Sequence, residues 1–380
     1  MKKILSQTKN LGTPDEQGAD YVELFFDLVF VYAITRITSL TAHHLDTYHV
    51  FQSVMIFWLI WWGWTQFTWS LNAANTRIAE VRMLVLTATG VAFIMASAVD
   101  EAFASGVMWF VLPYVIIRII GIGLAIRVAM NANDNLSRII SFTVPSIIAW
   151  IILIVSAFTN PSIRIWLWVC ATAFDMLAGY LGGRQEGWDM KPKHFAERHG
   201  LIVIIALGES LIVSASAISS HGISQDILIV GGLAVLVTCL LWWSYFSWIN
   251  EHLEKHLSKK SGTEQASLAR DAYSFVHFLL ICGIIGVAIG FENILGSPNN
   301  ILSVQTAIAL SGGFLFFVGF TAVSVWILSR FLLIPRITIS IFSMIFVLLS
   351  IGHPTYIALT IIAISLAIIT FIEWKKCRHA

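Results

Sequence analysis

Apolar runs recur along nearly the whole chain, each followed by a short polar stretch. A helical run of roughly 20 residues is long enough to cross a hydrocarbon core about 30 Å thick. The runs predict twelve such helices, near residues 22–44, 50–71, 81–102, 107–129, 138–158, 162–182, 198–218, 226–249, 271–295, 301–327, 331–351 and 354–373. The stretch before the first run, Met1 to Gln17, is polar, so no cleavable signal is expected.

Positive charge tests the count, because Lys and Arg collect on the cytoplasmic connections of a multi-pass protein. One side receives Lys2, Lys3 and Lys9; Arg77 and Arg82; Arg127 and Arg138; Arg184, Lys191, Lys193 and Arg198; Lys255, Lys259, Lys260 and Arg270; Arg330 and Arg336; and Lys375, Lys376 and Arg378. The other side receives Arg164 alone. This partition places both termini in the cytoplasm. Composition agrees: 57% of the chain is hydrophobic and 12% charged, a balance foreign to water-soluble domains. Cys170, Cys239, Cys282 and Cys377 are scattered without ligand spacing and are read as reduced.

The two halves of the chain repeat each other. Trp61-Trp62 aligns with Trp242-Trp243, Glu101 with Glu292, Leu136-Ser137-Arg138 with Leu328-Ser329-Arg330, and Asn160-Pro161 with His353-Pro354. Six helices repeated once enter the membrane in the same sense, as in transporters built from parallel repeats. The expected organisation is an all-α integral membrane protein: a cytoplasmic segment 1–21, a first repeat 22–182, a linker 183–197, a second repeat 198–373 and a tail 374–380. The same alignment sets Arg36 against Glu209. It predicts a buried pair between them if their helices meet at the repeat axis; otherwise each is satisfied locally.

Charge inside these spans is the informative feature, since an ionised side chain at mid-membrane costs about 2.5 to 3.5 kcal/mol on insertion scales. The first helix carries Glu23, Asp27 and Arg36, with the two acids four residues apart on one face. Two carboxylates that close and poorly solvated need a proton or a cation. Its Glu23-Leu24-Phe25-Phe26-Asp27-Leu28-Val29-Phe30 core closely resembles the start of the bacterial low temperature requirement A (LtrA) family. The later run from Glu197-Arg198-His199-Gly200 to Gly208-Glu209-Ser210 resembles that family's second signature. The resemblance covers essentially the whole chain and implies a multi-pass protein of the bacterial cytoplasmic membrane. The family name records a growth phenotype, so no substrate or residue role carries over.

The remaining embedded polar residues are Asp100 and Glu101, Arg118, Asp175, His199 and Glu209, and His277 and Glu292. Spaced carboxylates and histidines suit a proton relay, because burial and neighbours bring their titration towards neutrality. The competing reading is a polar network that fixes helix packing, with Arg118 neutralising Asp175 or another acid in preference to binding an anionic substrate. Pro113, Pro145 and Pro335 are positions where helices could bend, and Gly283, Gly286, Gly290, Gly312, Gly313 and Gly319 are positions where they could approach closely. His43, His44, Asp46 and His49, with His221 on the matching loop, are weak metal candidates, and no metal or other cofactor is expected. No zinc, nucleophile or phosphate-loop constellation is present, which weighs against an enzyme, and no patch suits nucleic acid. The leading expectation is a proton-coupled secondary transporter of a small solute, its path running past Glu23, Asp27, Arg36, Glu101, Arg118, Asp175, His199, Glu209, His277 and Glu292. The alternatives are a membrane enzyme or lipid-handling protein, or a non-transporting factor supporting growth in the cold.

Overall fold

The structure is a computed structural model that describes residues 11–12, 18–187, 189–221, 224–296 and 300–377. Lys2, Lys3, Lys9, Arg378 and the side chains of His221 and Lys376 lie outside the described residues. The described chain is helical throughout, without a β-strand. Its α-helices are α1 (Tyr21–His43), α2 (Thr47–Ala73), α3 (Ala79–Ser97), α4 (Met108–Asn131), α5 (Ser137–Ser156), α6 (Pro161–Gly183) and α7 (Pro192–His221). They continue as α8 (Gln225–Phe246), α9 (Ile249–Ser258), α10 (Gly262–Ala269), α11 (Val276–Leu295), α12 (Val304–Ser329), α13 (Ile334–Leu349) and α14 (Thr355–Cys377).

Among the described residues, ten helical stretches are long and apolar enough to cross a membrane. Two of the expected spans fall outside that set. α2 has 27 residues but carries Gln52, Gln66, Ser70 and Asn72 and several tryptophans, which lower its hydropathy. α13 is apolar but has only 16 residues, because Pro335 sits at its first turn. There the missing N–H costs nothing, so Pro335 starts a helix and does not bend one. Polar caps set other ends. Asn160 accepts from Ile163 N–H at 3.0 Å ahead of Pro161, and Ser303 accepts from Thr306 N–H at 3.2 Å.

The chain divides into two compact units. The first holds the described residues up to Ile37, Phe51–Arg198 and Leu257–Arg270; the second holds Thr38–Val50, His199–His256 and the residues from Asp271 onward. In the first unit the α2 tryptophans are core packing: Trp58, Trp61, Trp62 and Trp64 are all buried. Trp242 and Trp243 of α8, which the repeat sets against them, are 44% and 52% exposed. One tryptophan pair therefore fills a core while its counterpart turns outward.

In the second unit, α11 and α12 meet backbone to backbone. A Cβ added to Gly313 would lie 2.6 Å from the Val287 nitrogen, and one added to Gly286 would lie 3.0 Å from the Ala309 carbonyl. Gly312 and Gly319 face open space, so the close approach belongs to one side of α12 only. Gly313→Ala is expected to destabilise the protein by about 1 to 3 kcal/mol by overpacking this seam, while Gly312→Ala is neutral or slightly stabilising. Thermal unfolding of the two variants in detergent checks the contrast.

Candidate functional site

α1 places Glu23 and Asp27 one turn apart, and the start of α7 presents His194 and Arg198 at the same spacing. In the first unit these two pairs meet. The Arg198 guanidinium lies between the acids, Nη1 donating to Glu23 Oε2 and Nη2 donating to Asp27 Oδ1 at 2.6 Å. His194 Nε2 is 3.0 Å from Glu23 Oε2, and Trp64 Nε1–H donates to Asp27 Oδ1 at 2.7 Å. The Asp20 backbone N–H donates to Glu23 Oε1 at 3.2 Å. Glu23, Asp27, His194 and Arg198 are all buried.

The protonation of His194 follows from Asn72. The Asn72 Oδ1 accepts from Lys191 N–H at 2.9 Å, so its Nδ2 is the group that reaches the Lys191 carbonyl at 2.9 Å and His194 Nδ1 at 3.3 Å. An amide nitrogen can only donate, so Nδ1 accepts and Nε2 carries the hydrogen of a neutral imidazole. Two carboxylates, one guanidinium and a neutral imidazole leave one negative charge in excess. Three of the four carboxylate oxygens accept hydrogen bonds. Asp27 Oδ2 is buried and accepts none among the described residues.

A second cluster in the same unit has no such excess. Arg118 of α4 donates from Nη1 to Asp175 Oδ1 at 3.0 Å and from Nη2 to Ser146 Oγ at 3.0 Å, and it also bonds Gln66 Oε1 and the Tyr114 hydroxyl. Tyr114 O–H donates to Asp175 Oδ2 at 2.8 Å, and the guanidinium lies 5.4 to 5.7 Å from the ring centres of Tyr114, Phe142 and Trp150. The second unit holds a comparable pair: Arg336 Nε and Nη2 both donate to the Glu373 carboxylate, Nη1 donates to Thr321 Oγ1 at 2.7 Å, and Trp248 Nε1 donates to Glu373 at 2.9 Å. Each pair is neutral and enclosed.

Other expected residues fall elsewhere. α3 ends at Ser97, one turn earlier than its hydrophobic run suggested, so Asp100 and Glu101 occupy an exposed 3-10 turn, Val99–Glu101. Arg36 is ion-paired to Asp100, an acid the repeat alignment had not assigned to it, and both are partly exposed. The alignment's partner, Glu209, is buried in the second unit. Glu101 accepts from Gly106 N–H at 3.0 Å, a loop contact in place of the expected interior one. His199 and His277 are buried with ring centres 5.5 Å apart, and Glu292 is half-buried.

Outside the spans, Arg138 holds the Asp134 carboxyl below the usual carboxylate range through a 2.6 Å hydrogen bond. The stability this gives the α4–α5 connection is complete above the ordinary carboxylate range and lost as pH falls through the lowered one. His49 acts likewise on Asp46. Among the described residues no His, Cys, Asp and Glu group is arranged to hold a metal ion.

Residue-by-residue reading of the chain missed Arg198 and His194 as partners of the α1 acids, Asn72 as the partner that orients His194, and Arg336 as a buried base. One signal was available for the first two: bases four apart in α7 match acids four apart in α1, and both pairs lie in the first turns of their helices. Arg336 offered none, because it follows Pro335 at the cytoplasmic end of the expected span 331–351, where it reads as a charge that sets topology.

The family profile described as "Bacterial low temperature requirement A protein (LtrA)" matches residues 19–371. The chain is also similar to the uncharacterized protein RA0937 of Rhizobium meliloti (strain 1021), at 26% identity over 325 residues, covering 81% of this chain and 77% of that protein. No solved structure matches it.

Arg198→Met leaves two buried carboxylates without their cation and is expected to cost about 3 to 5 kcal/mol. Adding Glu23→Gln and Asp27→Asn should recover most of that loss. Thermal melting of the single and triple variants in detergent checks it, and an Arg198→Met protein as stable as the wild type would count against the pairing.

Proposed function

Since the chain belongs to the bacterial low temperature requirement A (LtrA) family, a family of multi-pass membrane proteins, we propose that it is a proton-coupled secondary transporter of a small solute in the bacterial cytoplasmic membrane. The observation that carries this reading is the uncompensated charge of the Glu23, Asp27, His194 and Arg198 cluster. An excess charge that far from water costs several kcal/mol unless a cation joins it. Arg198 and Trp64 already occupy Asp27 Oδ1, and the remaining oxygen, Oδ2, is one site. A metal cation needs a cage of several oxygens, whereas a proton needs one. The coupling ion is therefore a proton, bound at Asp27 and exchanged as the helices that carry the cluster move.

The proposal takes twelve spans in two six-helix repeats of the same sense with both termini cytoplasmic, supported by the partition of Lys and Arg over the connections. Glu209 and Glu292, buried and half-buried acids of the second unit, are the groups we assign to solute or proton passage there. Arg118 with Asp175 and Arg336 with Glu373 are read as architecture, because each carries its own counter-charge. Arg36, paired to Asp100, and Glu101, bound to a loop N–H, are placed at the edge of the path.

Everted vesicles acidified by respiration, with a fluorescent probe of the pH difference, test the proposal against a panel of inorganic cations, amino acids and weak bases. At least one class should collapse the gradient in vesicles holding the wild type, at a rate at least about tenfold above Asp27→Asn, on the scale of one lost binding interaction. Glu101→Gln should retain activity. An Asp27→Asn protein that still exchanges protons at the wild-type rate, or a wild type inert to the whole panel, would overturn it.

A further inference from the structure

α11 is entered through π-helical winding over Arg270–Phe275, of which Asp271–Phe275 belong to the second unit. Winding of this kind is rare, and where side chains insert into a helix's hydrogen-bond ladder they deform it. Here two side chains converge on the Ala272 carbonyl: His277 Nδ1 at 2.8 Å and Ser324 Oγ at 3.1 Å. A carbonyl can only accept, so the hydrogen of the neutral imidazole is on Nδ1. Nε2 is then the acceptor of the Tyr245 O–H, 2.8 Å away.

The groups facing the imidazole come from every neighbouring element. Tyr273, within the π-turn, stacks its ring on His277 at 4.9 Å and 16°. His199 of α7 presents its ring at 5.5 Å, Tyr245 comes from α8, and Ser324 of α12 shares the carbonyl. Among the described residues none of the groups in hydrogen-bond or ring contact with His277 is a carboxylate, lysine or arginine.

We propose that Nε2 of His277 is a second proton-binding site, and that taking up the proton releases the π-turn. A proton on Nε2 sets N–H against the Tyr245 O–H, so the hydroxyl must turn its hydrogen away and offer a lone pair instead. The resulting imidazolium sits buried among rings and hydroxyls, with no carboxylate among the described residues in hydrogen-bond or ring contact with it. Both costs fall on the packing seen here and are relieved wherever the ring reaches water or a carboxylate. Neutral His277 thus latches the winding, and the protonated ring unlatches it. Rewinding one π residue into α register turns the winding's own residues by about 100° and shifts them by about 1.5 Å along the axis relative to α11. Proton uptake here would turn Asp271 and Tyr273 relative to α11. This site uses none of the α1 and α7 acids and bases of the first unit, so it stands whether or not they bind the coupling proton.

Ala272-Tyr273 is the chain's only Ala-Tyr step, so carbonyl-labelled alanine with nitrogen-labelled tyrosine gives one unique reporter of the π-turn in the full-length protein. With histidine labelled at its ring nitrogens added, the protein in lipid nanodiscs is titrated from about pH 8 to about pH 4, across the range in which histidine titrates. The Ala272 carbonyl signal should move with a single midpoint shared by a histidine that is Nδ1-protonated when neutral. In His277→Gln, which keeps a donor for Ala272 but cannot be charged, the signal should stay fixed. A carbonyl signal that does not move, that moves equally in His277→Gln, or that moves apart from any Nδ1-protonated histidine would overturn the proposal. If His277→Gln does not fold, the shared midpoint in the wild type still decides.

Discussion

The arrangement depends on one guanidinium. Arg198, buried at the start of α7, stands between two carboxylates of α1 and donates to both. Two acids one helical turn apart repel each other more strongly as water is withdrawn, and the cation that reconciles them also fixes how α1 and the first turns of α7 pack. Around it the protein adds neutral donors: Trp64 to Asp27, the Asp20 N–H and the His194 imidazole to Glu23. These relieve the charge by sharing it but do not cancel it. One guanidinium against two carboxylates leaves a charge that a proton can fill, and this separates the cluster from the other buried pairs of the chain.

The other pairs show what closure looks like. Arg118 meets one carboxylate, Asp175, and its donors also reach two hydroxyls and an amide. Arg336 takes Glu373 through two donors and completes itself on Thr321 and the Ser244 carbonyl. In both, charges and hydrogen bonds balance locally, so removing one partner is costly. The glycine seam of α11 and α12 complements them, since backbones in contact leave no room for adjustment there.

Much of the architecture was legible in the chain because membrane insertion constrains composition more than sequence detail. Apolar runs located the helices, and the pairing of Arg118 with Asp175 followed from the cost of leaving either charge alone. Where the reading failed, polar residues had been judged by position in a run and not by what they could reach. Asp100 and Glu101 looked embedded because apolar residues precede them, yet α3 stops at Ser97 and both acids are exposed on the 3-10 turn that follows. Arg36 found Asp100 there, a contact between residues 64 apart that no helical spacing announces. The Arg198 contact was closer to the surface of the sequence, written as matching spacings in two helices. Orienting Asn72, and through it His194, required three-dimensional placement of the Lys191 backbone.

A charge count that leaves Asp27 holding a proton makes a spectroscopic claim as well as a functional one. Infrared difference spectra of the purified protein in lipid, recorded in light and heavy water, report directly on carboxylic acids that stay protonated at neutral pH. The account predicts a protonated-carboxyl band at neutral pH that shifts on deuteration and disappears in Asp27→Asn while persisting in Glu101→Gln. A spectrum without that band, or one in which it survives unchanged in Asp27→Asn, would contradict it.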